Sequence, residues 1–197
     1  ERAKADRLWA YGHVVVDEAQ ELSPMEWRMI MRRCPSRWMT LVGDTAQTGS
    51  PAGVDSWTDT LEPYVQNRFR RHQLTVNYRT PADIMDVANT LLPMIAPTQT
   101  PSQAVRSTGI PVRFLPSGTE VSPLIDALRT EHPERLTAHI DADNVAEIKG
   151  LEYDHVVLVE PQEIVDNSPQ GWQDLYVALT RATQSLTIVG EMPTTEL

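Results

Sequence analysis

The sequence predicts an α/β fold with a parallel β-sheet, because short apolar strands alternate with amphipathic helices along the chain. Four runs are almost wholly apolar and rich in β-branched residues: His13–Val16, Met39–Val42, Val156–Val159 and Leu186–Val189. A continuous apolar run is typical of parallel strands that are covered on both faces. Strands separated by helices then predict a parallel sheet flanked by helices.

Helix start signals occur at two places. Ser23–Glu26 combines an N-cap serine, a proline in the first helical position and a capping glutamate, so it predicts a helix from Pro24 to about Arg33. Thr80–Asp83 has a similar pattern and predicts a second helix. Its apolar stripe comprises Ile84, Val87, Ala88, Leu91 and Leu92. A third helix near the C-terminus is predicted from the stripe of Leu175, Ala178, Leu179 and Ala182.

Two segments are predicted to be surface connections because they are rich in residues that break regular structure. They are Thr48–Gly53 and the proline-containing stretch Pro93–Pro111. A domain boundary is predicted between about Glu62 and Leu74. Residues 1–65 are therefore assigned to part of one domain, and residues 66–197 to a second.

Composition excludes several classes of protein. Hydrophobic residues make up 41% of the 197 residues, which argues against disorder. No apolar run approaches the ~20 residues of a membrane span, and Glu1–Trp9 has no apolar core of a signal peptide. The single cysteine, Cys34, cannot form an internal disulfide. We therefore predict a cytoplasmic protein with no membrane partner.

Charge is distributed unevenly. Residues 1–73 hold ten basic and ten acidic side chains, whereas residues 74–197 hold seven basic and seventeen acidic ones. A surface that follows nucleic acid is locally basic. The second part of the chain lacks that property.

Polar side chains follow two of the predicted strands. Asp17, Glu18 and Gln20 come directly after the first strand, and Asp44 and Gln47 follow the second. Ligands of parallel sheets lie beyond the carboxyl ends of the strands. Two adjacent carboxylates there suit a hydrated Mg²⁺ and a base that orients water toward a γ-phosphate. A solvated turn with two acids is the alternative interpretation.

Five segments resemble, in order, the conserved motifs of UvrD-like superfamily 1 helicases. They are Asp17–Gln20 (motif II), Gly43–Gln47 (motif III), Leu74–Pro81 (motif IV), Lys149–Asp154 (motif V) and Leu175–Ala182 (motif VI). The resemblance implies a P-loop NTPase (RecA-like) fold, with one domain and part of another, and an enzyme that uses ATP and Mg²⁺.

The resemblance also implies residue roles in the first part of the chain. Asp17 would hold Mg²⁺, Glu18 would polarise the attacking water, and Gln47 would contact the γ-phosphate. Gln20 and Asp44 belong to the same nucleotide-binding motifs.

In the second part, Tyr78 would stack on adenine, Glu152 would accept from the ribose hydroxyls, and Gly150 would allow close backbone approach. Arg79 and Arg181 would act as arginine fingers that neutralise charge in the transition state. The simpler alternatives are an edge tyrosine, surface arginines and a helix-capping acid.

The sequence contains no P-loop motif, Gly-x-x-x-x-Gly-Lys-Ser/Thr. In the resembled family that loop precedes motif II. The chain is thus predicted to be part of a longer protein whose N-terminal part supplies the loop. We expect the isolated chain to hydrolyse ATP only at background rate.

The residues that would face a DNA strand depart from the UvrD-like pattern. No aromatic residue lies in 48–53, just after motif III, and Asn144 and Ala146 stand where a threonine and a histidine are typical. Only 69 residues separate Arg79 from Lys149, too few for a large inserted subdomain. With the acidic second part, this pattern resembles HelD-type ATPases and implies RNA polymerase as the partner. A UvrD-class 3′→5′ DNA helicase and a non-catalytic binding module are the alternatives.

Overall fold

The computed structural model describes residues 9–50, 52–97, 99–148 and 150–194. The chain divides into two compact units, residues 1–72 (unit 1) and residues 73–197 (unit 2). Both units combine helices with parallel strands, so the predicted α/β class is confirmed. The assignment of residues 1–65 and 66–197 to two RecA-like domains stays a prediction.

Unit 1 is built on two parallel strands and two helices. The strands are β1 (Val14–Val16) and β2 (Met39–Leu41), which pair in parallel, and the helices are α1 (Pro24–Arg33) and α2 (Trp57–Val65). Short 3₁₀ turns follow each strand, at Ala19–Glu21 and Thr45–Gln47. The buried core comprises Ala19, Trp27, Met31, Val54, Leu61 and Val65.

Helix α1 has the bounds and the cap that the sequence predicts. The Ser23 side chain accepts a hydrogen bond from Glu26 N, and the Glu26 carboxylate accepts from Ser23 N at 2.8 Å. Strand β1 differs from the prediction, because Val15 is 67% exposed instead of being covered on both faces. The packed helices and loops of unit 1 cover β1 on one face only among the residues described.

Unit 2 contains a four-stranded parallel sheet in the order β5-β8-β7-β6. Its strands are β5 (Arg113–Leu115), β6 (Thr137–Ile140), β7 (Tyr153–Val159) and β8 (Ala182–Val189). The helices are α3 (Ala82–Asn89), α4 (Leu92–Ile95), α5 (Ser122–Glu131), α6 (Pro161–Asn167) and α7 (Gly171–Thr180). Two further strands, β3 (Val76–Asn77) and β4 (Gln103–Ala104), form a separate parallel pair. No helix in the described ranges is long and apolar enough to cross a membrane.

Strands β7 and β8 are longer than predicted. They begin at Tyr153 and Ala182, because their backbone pairing continues beyond the apolar residues. Here His155 pairs with Ser185, and the two side chains hydrogen-bond at 2.7 Å. Apolar patterning alone therefore underestimates the length of strands whose polar end residues hydrogen-bond to each other.

Three predictions about helices and loops in unit 2 are wrong. Helix α3 begins at Ala82, with Pro81 as its uncapped N-terminal residue, so the Thr80 side chain does not cap it. The predicted apolar stripes are also divided, because α3 ends at Asn89 and α7 ends at Thr180, before Ala182. The predicted connection Pro93–Pro111 includes most of α4 and all of β4. Strand β4 forms because its backbone pairs with β3, where Gln103 N donates to Thr75 O.

Candidate functional site

The carboxyl ends of β1 and β2 present exposed carboxylates at one edge of unit 1. Asp17 and Glu18 follow β1 directly and are exposed. Glu18 has φ 49°, the left-handed region that side chains other than glycine seldom adopt. Its backbone N–H donates to Asp17 Oδ1 at 3.0 Å. Strained residues of this kind concentrate at functional sites, which makes the turn a candidate site on its geometry.

Gln20 joins the two strand ends. Its side chain is buried (1% exposed). The side-chain amide makes one hydrogen bond to a residue of motif II and one to a residue of motif III. Nε2 donates to Glu18 Oε2 at 2.6 Å, and Oε1 accepts from Asp44 N at 3.1 Å. Gly43 permits this approach, because a Cβ there would lie 2.4 Å from Gln20 Oε1. Gln20 thus links the Glu18 carboxylate to the backbone at the end of β2.

Asp44 organises the second strand end. Its Oδ1 accepts from Ala46 N at 3.0 Å, which caps the turn Thr45–Gln47. Its Oδ2 accepts from the Gln47 amide at 3.0 Å. The Gln47 side chain is therefore held at the same edge as Glu18. The direct contacts that Gln20, Asp44 and Gln47 are predicted to make with a nucleotide stay predictions.

The donor set at this edge fits a hard divalent cation. Asp17 and Glu18 carry exposed carboxylates, and neither forms an ion pair with a described arginine or histidine. Carboxylate oxygens and water are the ligands that Mg²⁺ prefers. Asp17 is the residue that would hold the ion.

The segments predicted as motifs IV, V and VI meet in unit 2. Arg79 forms an ion pair with Glu152. Arg181 is buried, with Nη1 donating to Leu151 O at 3.3 Å and Nε donating to Val177 O at 3.2 Å. Arg79 and Arg181 thus contact two neighbouring residues of motif V, the Glu152 carboxylate and the Leu151 carbonyl.

Two further predicted residues lie in the same region. Tyr78 is 74% exposed, so its ring is available for stacking. Gly150 has φ 76°, a conformation that favours glycine. Lys149, the basic residue of predicted motif V, lies outside the described residues.

Asn77 is a residue of this region to which the sequence assigned no role. Its Oδ1 accepts from Arg79 N at 2.9 Å and from Thr80 N at 3.0 Å, which fixes the turn that carries Arg79. An asparagine just before a bend is a known turn signal, so this role was within reach of sequence reasoning.

The location of this second group differs from the general expectation for parallel sheets. Glu152 and Arg181 precede β7 and β8, so they lie at the amino ends of these strands. In unit 1, by contrast, Asp17 and Asp44 follow the strands.

Comparison with known proteins places the chain in a family. The model of the viral superfamily 1 RNA helicase core domain matches residues 4–190. The chain belongs to this family. The superfamily 1 assignment made from the five motifs is thereby confirmed, and the family is one of nucleotide-hydrolysing, helicase-like motors.

Solved structures of helicases are also similar to the chain. The PRRSV nsp10 helicase is 15% identical over 89% of this chain and 35% of that chain, with a TM-score of 0.34. The C-terminal domain of a possible DNA helicase from Lactobacillus plantarum WCFS1 is 20% identical over 61% of this chain and 75% of that chain, with a TM-score of 0.20. The chain thus spans about a third of the length of the PRRSV helicase chain. None of the curated proteins compared with the chain matches it.

Proposed function

We propose that this chain supplies the water-polarising, γ-phosphate-sensing and charge-neutralising residues of an ATP-driven superfamily 1 motor. The observation that carries the proposal is the edge of unit 1, where buried Gln20 binds both Glu18 and the backbone of Asp44. A solvated turn with two acids needs no such buried link. Membership of the helicase core family supports the same function.

The proposed chemistry in unit 1 is in-line attack of water on the γ-phosphate of ATP, in which a P–O bond to water forms as the bond to the leaving ADP oxygen breaks. Bound Mg²⁺, held by Asp17, would neutralise charge on the phosphates. Glu18 orients the water and accepts its proton, and Gln20 keeps the Glu18 carboxylate in one orientation. Gln47, which is positioned by Asp44, contacts the γ-phosphate through its amide.

The proposed contribution of unit 2 is positive charge and base stacking. Arg79 and Arg181 act as arginine fingers, Tyr78 stacks on adenine, and Glu152 accepts from the ribose hydroxyls. Because Arg79 and Glu152 pair with each other in this structure, both roles require that ion pair to open. The incoming nucleotide offers each residue a replacement partner, a phosphate for Arg79 and a hydroxyl for Glu152.

RNA polymerase is the partner that we propose, by analogy with HelD-type ATPases. The acidic second part of the chain supports a protein partner over a nucleic acid track. The first aromatic residue after motif III also supports it, because Trp57 packs against the core of unit 1 and is not free to act as a stacking platform. The nucleotide cycle would then move the polymerase-bound protein and help to release or recycle the enzyme.

A UvrD-class 3′→5′ helicase or translocase is the second candidate. The family description, an RNA helicase core domain, favours movement on nucleic acid in general. The choice of DNA and the 3′→5′ polarity come from the resemblance to UvrD-like motifs alone.

The two candidates differ in what stimulates ATP turnover by the full-length protein. We expect RNA polymerase to co-purify with it and to raise kcat severalfold, whereas single-stranded DNA or RNA changes kcat less than twofold. The matched control is Glu18→Gln, which should retain polymerase binding without turnover. Strong stimulation by single-stranded nucleic acid, with processive unwinding and no polymerase binding, would contradict the HelD-type proposal in favour of the second candidate.

A further inference from the structure

The Arg106 side chain is half-buried, and part of its guanidinium group has no hydrogen-bond partner among the described residues. Its Nε and Nη2 atoms are buried, and no hydrogen-bond acceptor reaches either of them within the described ranges of the chain. A guanidinium group is always protonated in proteins. Burying N–H donors without an acceptor is costly, and an anion would supply the acceptor that Nε and Nη2 lack.

The backbone places Arg106 beside predicted motif IV. Strands β3 and β4 pair in parallel, and their register continues when Val105 N donates to Asn77 O at 3.0 Å. The Arg106 carbonyl accepts from Ala82 N at 2.8 Å, at the first residue of α3 and just after predicted motif IV. Val105 is 58% exposed, whereas Arg106 is half-buried on the opposite face of the pair.

The same segment also reaches the start of β8, just after predicted motif VI. The Thr108 hydroxyl donates to Gln184 O at 3.3 Å, three residues beyond Arg181 in sequence. Arg106 therefore lies on a segment that is tied to motif IV on one side and to the start of β8 on the other. No sequence motif assigns it a role.

The partners of the three arginines differ. Arg79 is paired with Glu152, and Arg181 donates to the carbonyls of Val177 and Leu151. In Arg106, by contrast, the side-on pair Nε and Nη2 is buried and has no acceptor among the described residues. Two N–H groups on one edge of a guanidinium match two oxygens of a phosphate.

We propose that Arg106 is a third arginine of this site and binds phosphate oxygens of the nucleotide. The inference rests on the proposed ATPase function and adds a residue to the phosphate-binding set. It also accounts for two buried N–H groups that have no acceptor among the described residues.

The test compares Arg106→Gln and Arg106→Lys with the matched control Arg113→Gln, all in the full-length protein. Arg113 is an exposed arginine on β5 of the same unit. We measure Kd for ATP and AMP and the Tm of the nucleotide-free protein. Arg106→Gln should weaken ATP binding about tenfold or more, since bonds to a charged group are lost. Binding of AMP and the nucleotide-free Tm should be retained, because no bond to Nε or Nη2 is broken in the free protein.

Arg106→Lys keeps the charge but loses the side-on pair, so its ATP affinity should be intermediate. This conservative variant carries the test if Arg106→Gln does not fold. ATP binding within twofold of wild type in both variants would overturn the inference. So would a Tm lowered by several degrees with ATP affinity retained, which indicates a structural role. Either result leaves the proposed function standing, because that function fails only if ATP turnover does not depend on Glu18.

Discussion

At the scale of single residues, one buried amide determines the geometry of the candidate site. Gln20 uses Nε2 for the Glu18 carboxylate and Oε1 for the Asp44 backbone. The sequence indicated that these residues follow neighbouring strands, so their proximity was predictable. The bridging role of Gln20 was not, because it depends on which side chain is buried between the strand ends. Gly43 is part of the same arrangement, since any Cβ there would meet the Gln20 amide.

We predict that Gly43→Ala lowers ATP turnover by the full-length protein. The new methyl group would lie 2.4 Å from Gln20 Oε1, so the amide must move and Glu18 loses its fixed orientation. We expect kcat to fall about tenfold or more, because catalytic groups tolerate little misplacement, with a smaller change in Kd for ATP. The control is Gly12→Ala, where a Cβ meets no heavy atom within 4 Å. Turnover by Gly43→Ala within twofold of the control would contradict the role assigned to Gln20.

At the scale of elements, the accuracy of the sequence predictions follows the physical origin of each signal. The capping box of α1 is local, so Ser23 and Glu26 sufficed to predict where the helix starts. Strands β5 and β6 were missed because Arg113–Leu115 and Thr137–Ile140 are short and partly polar. Their pairing with β8 and β7 involves residues distant in sequence. The same long-range pairing extends β7 and β8 into polar residues.

His155 is one of those polar strand residues, and it is buried where β7 pairs with β8. Its Nδ1 contacts Ser185 Oγ at 2.7 Å, and its ring stacks on His132 with centroids 4.6 Å apart. Burial lowers the pKa of His155, and the positive charge of His132 lowers this pKa further. Below a pH of about 6.5, the ordinary pKa of histidine, the unfolded chain therefore binds more protons at this position than the folded chain.

We predict that protonation of His155 lowers the free energy of unfolding as the pH falls. The free energy of unfolding of wild type should fall as pH drops below about 6.5, and His155→Gln should have a shallower slope because glutamine does not titrate. The measurement is urea unfolding at a series of pH values from about 7.5 to about 5, with His72→Gln as the control for an exposed histidine. Parallel slopes for wild type and His155→Gln would show that His155 does not couple folding to protonation.

At the scale of the whole molecule, the order of the five motifs predicted the superfamily 1 assignment, which no local pattern could predict by itself. Each motif alone is short, but the set spans both units, and the family match over residues 4–190 agrees with it. Within unit 2 the structure adds that motifs IV, V and VI meet through Arg79, Glu152 and Arg181. Sequence reasoning did not foresee the Arg79–Glu152 ion pair or the buried state of Arg181, because both depend on tertiary packing.

We propose that Glu18 accepts the proton of the water that attacks ATP. The measurement that tests this role is the ATP turnover number of the full-length protein carrying Glu18→Gln. Glu62→Gln, an exposed carboxylate on α2 of the same unit, is the matched control. Glutamine keeps the size of Glu18 but cannot accept a proton, so we predict that kcat falls about 100-fold or more while Kd for ATP changes little. Glu62→Gln should turn over ATP like wild type. Equal turnover by wild type and Glu18→Gln would contradict the account.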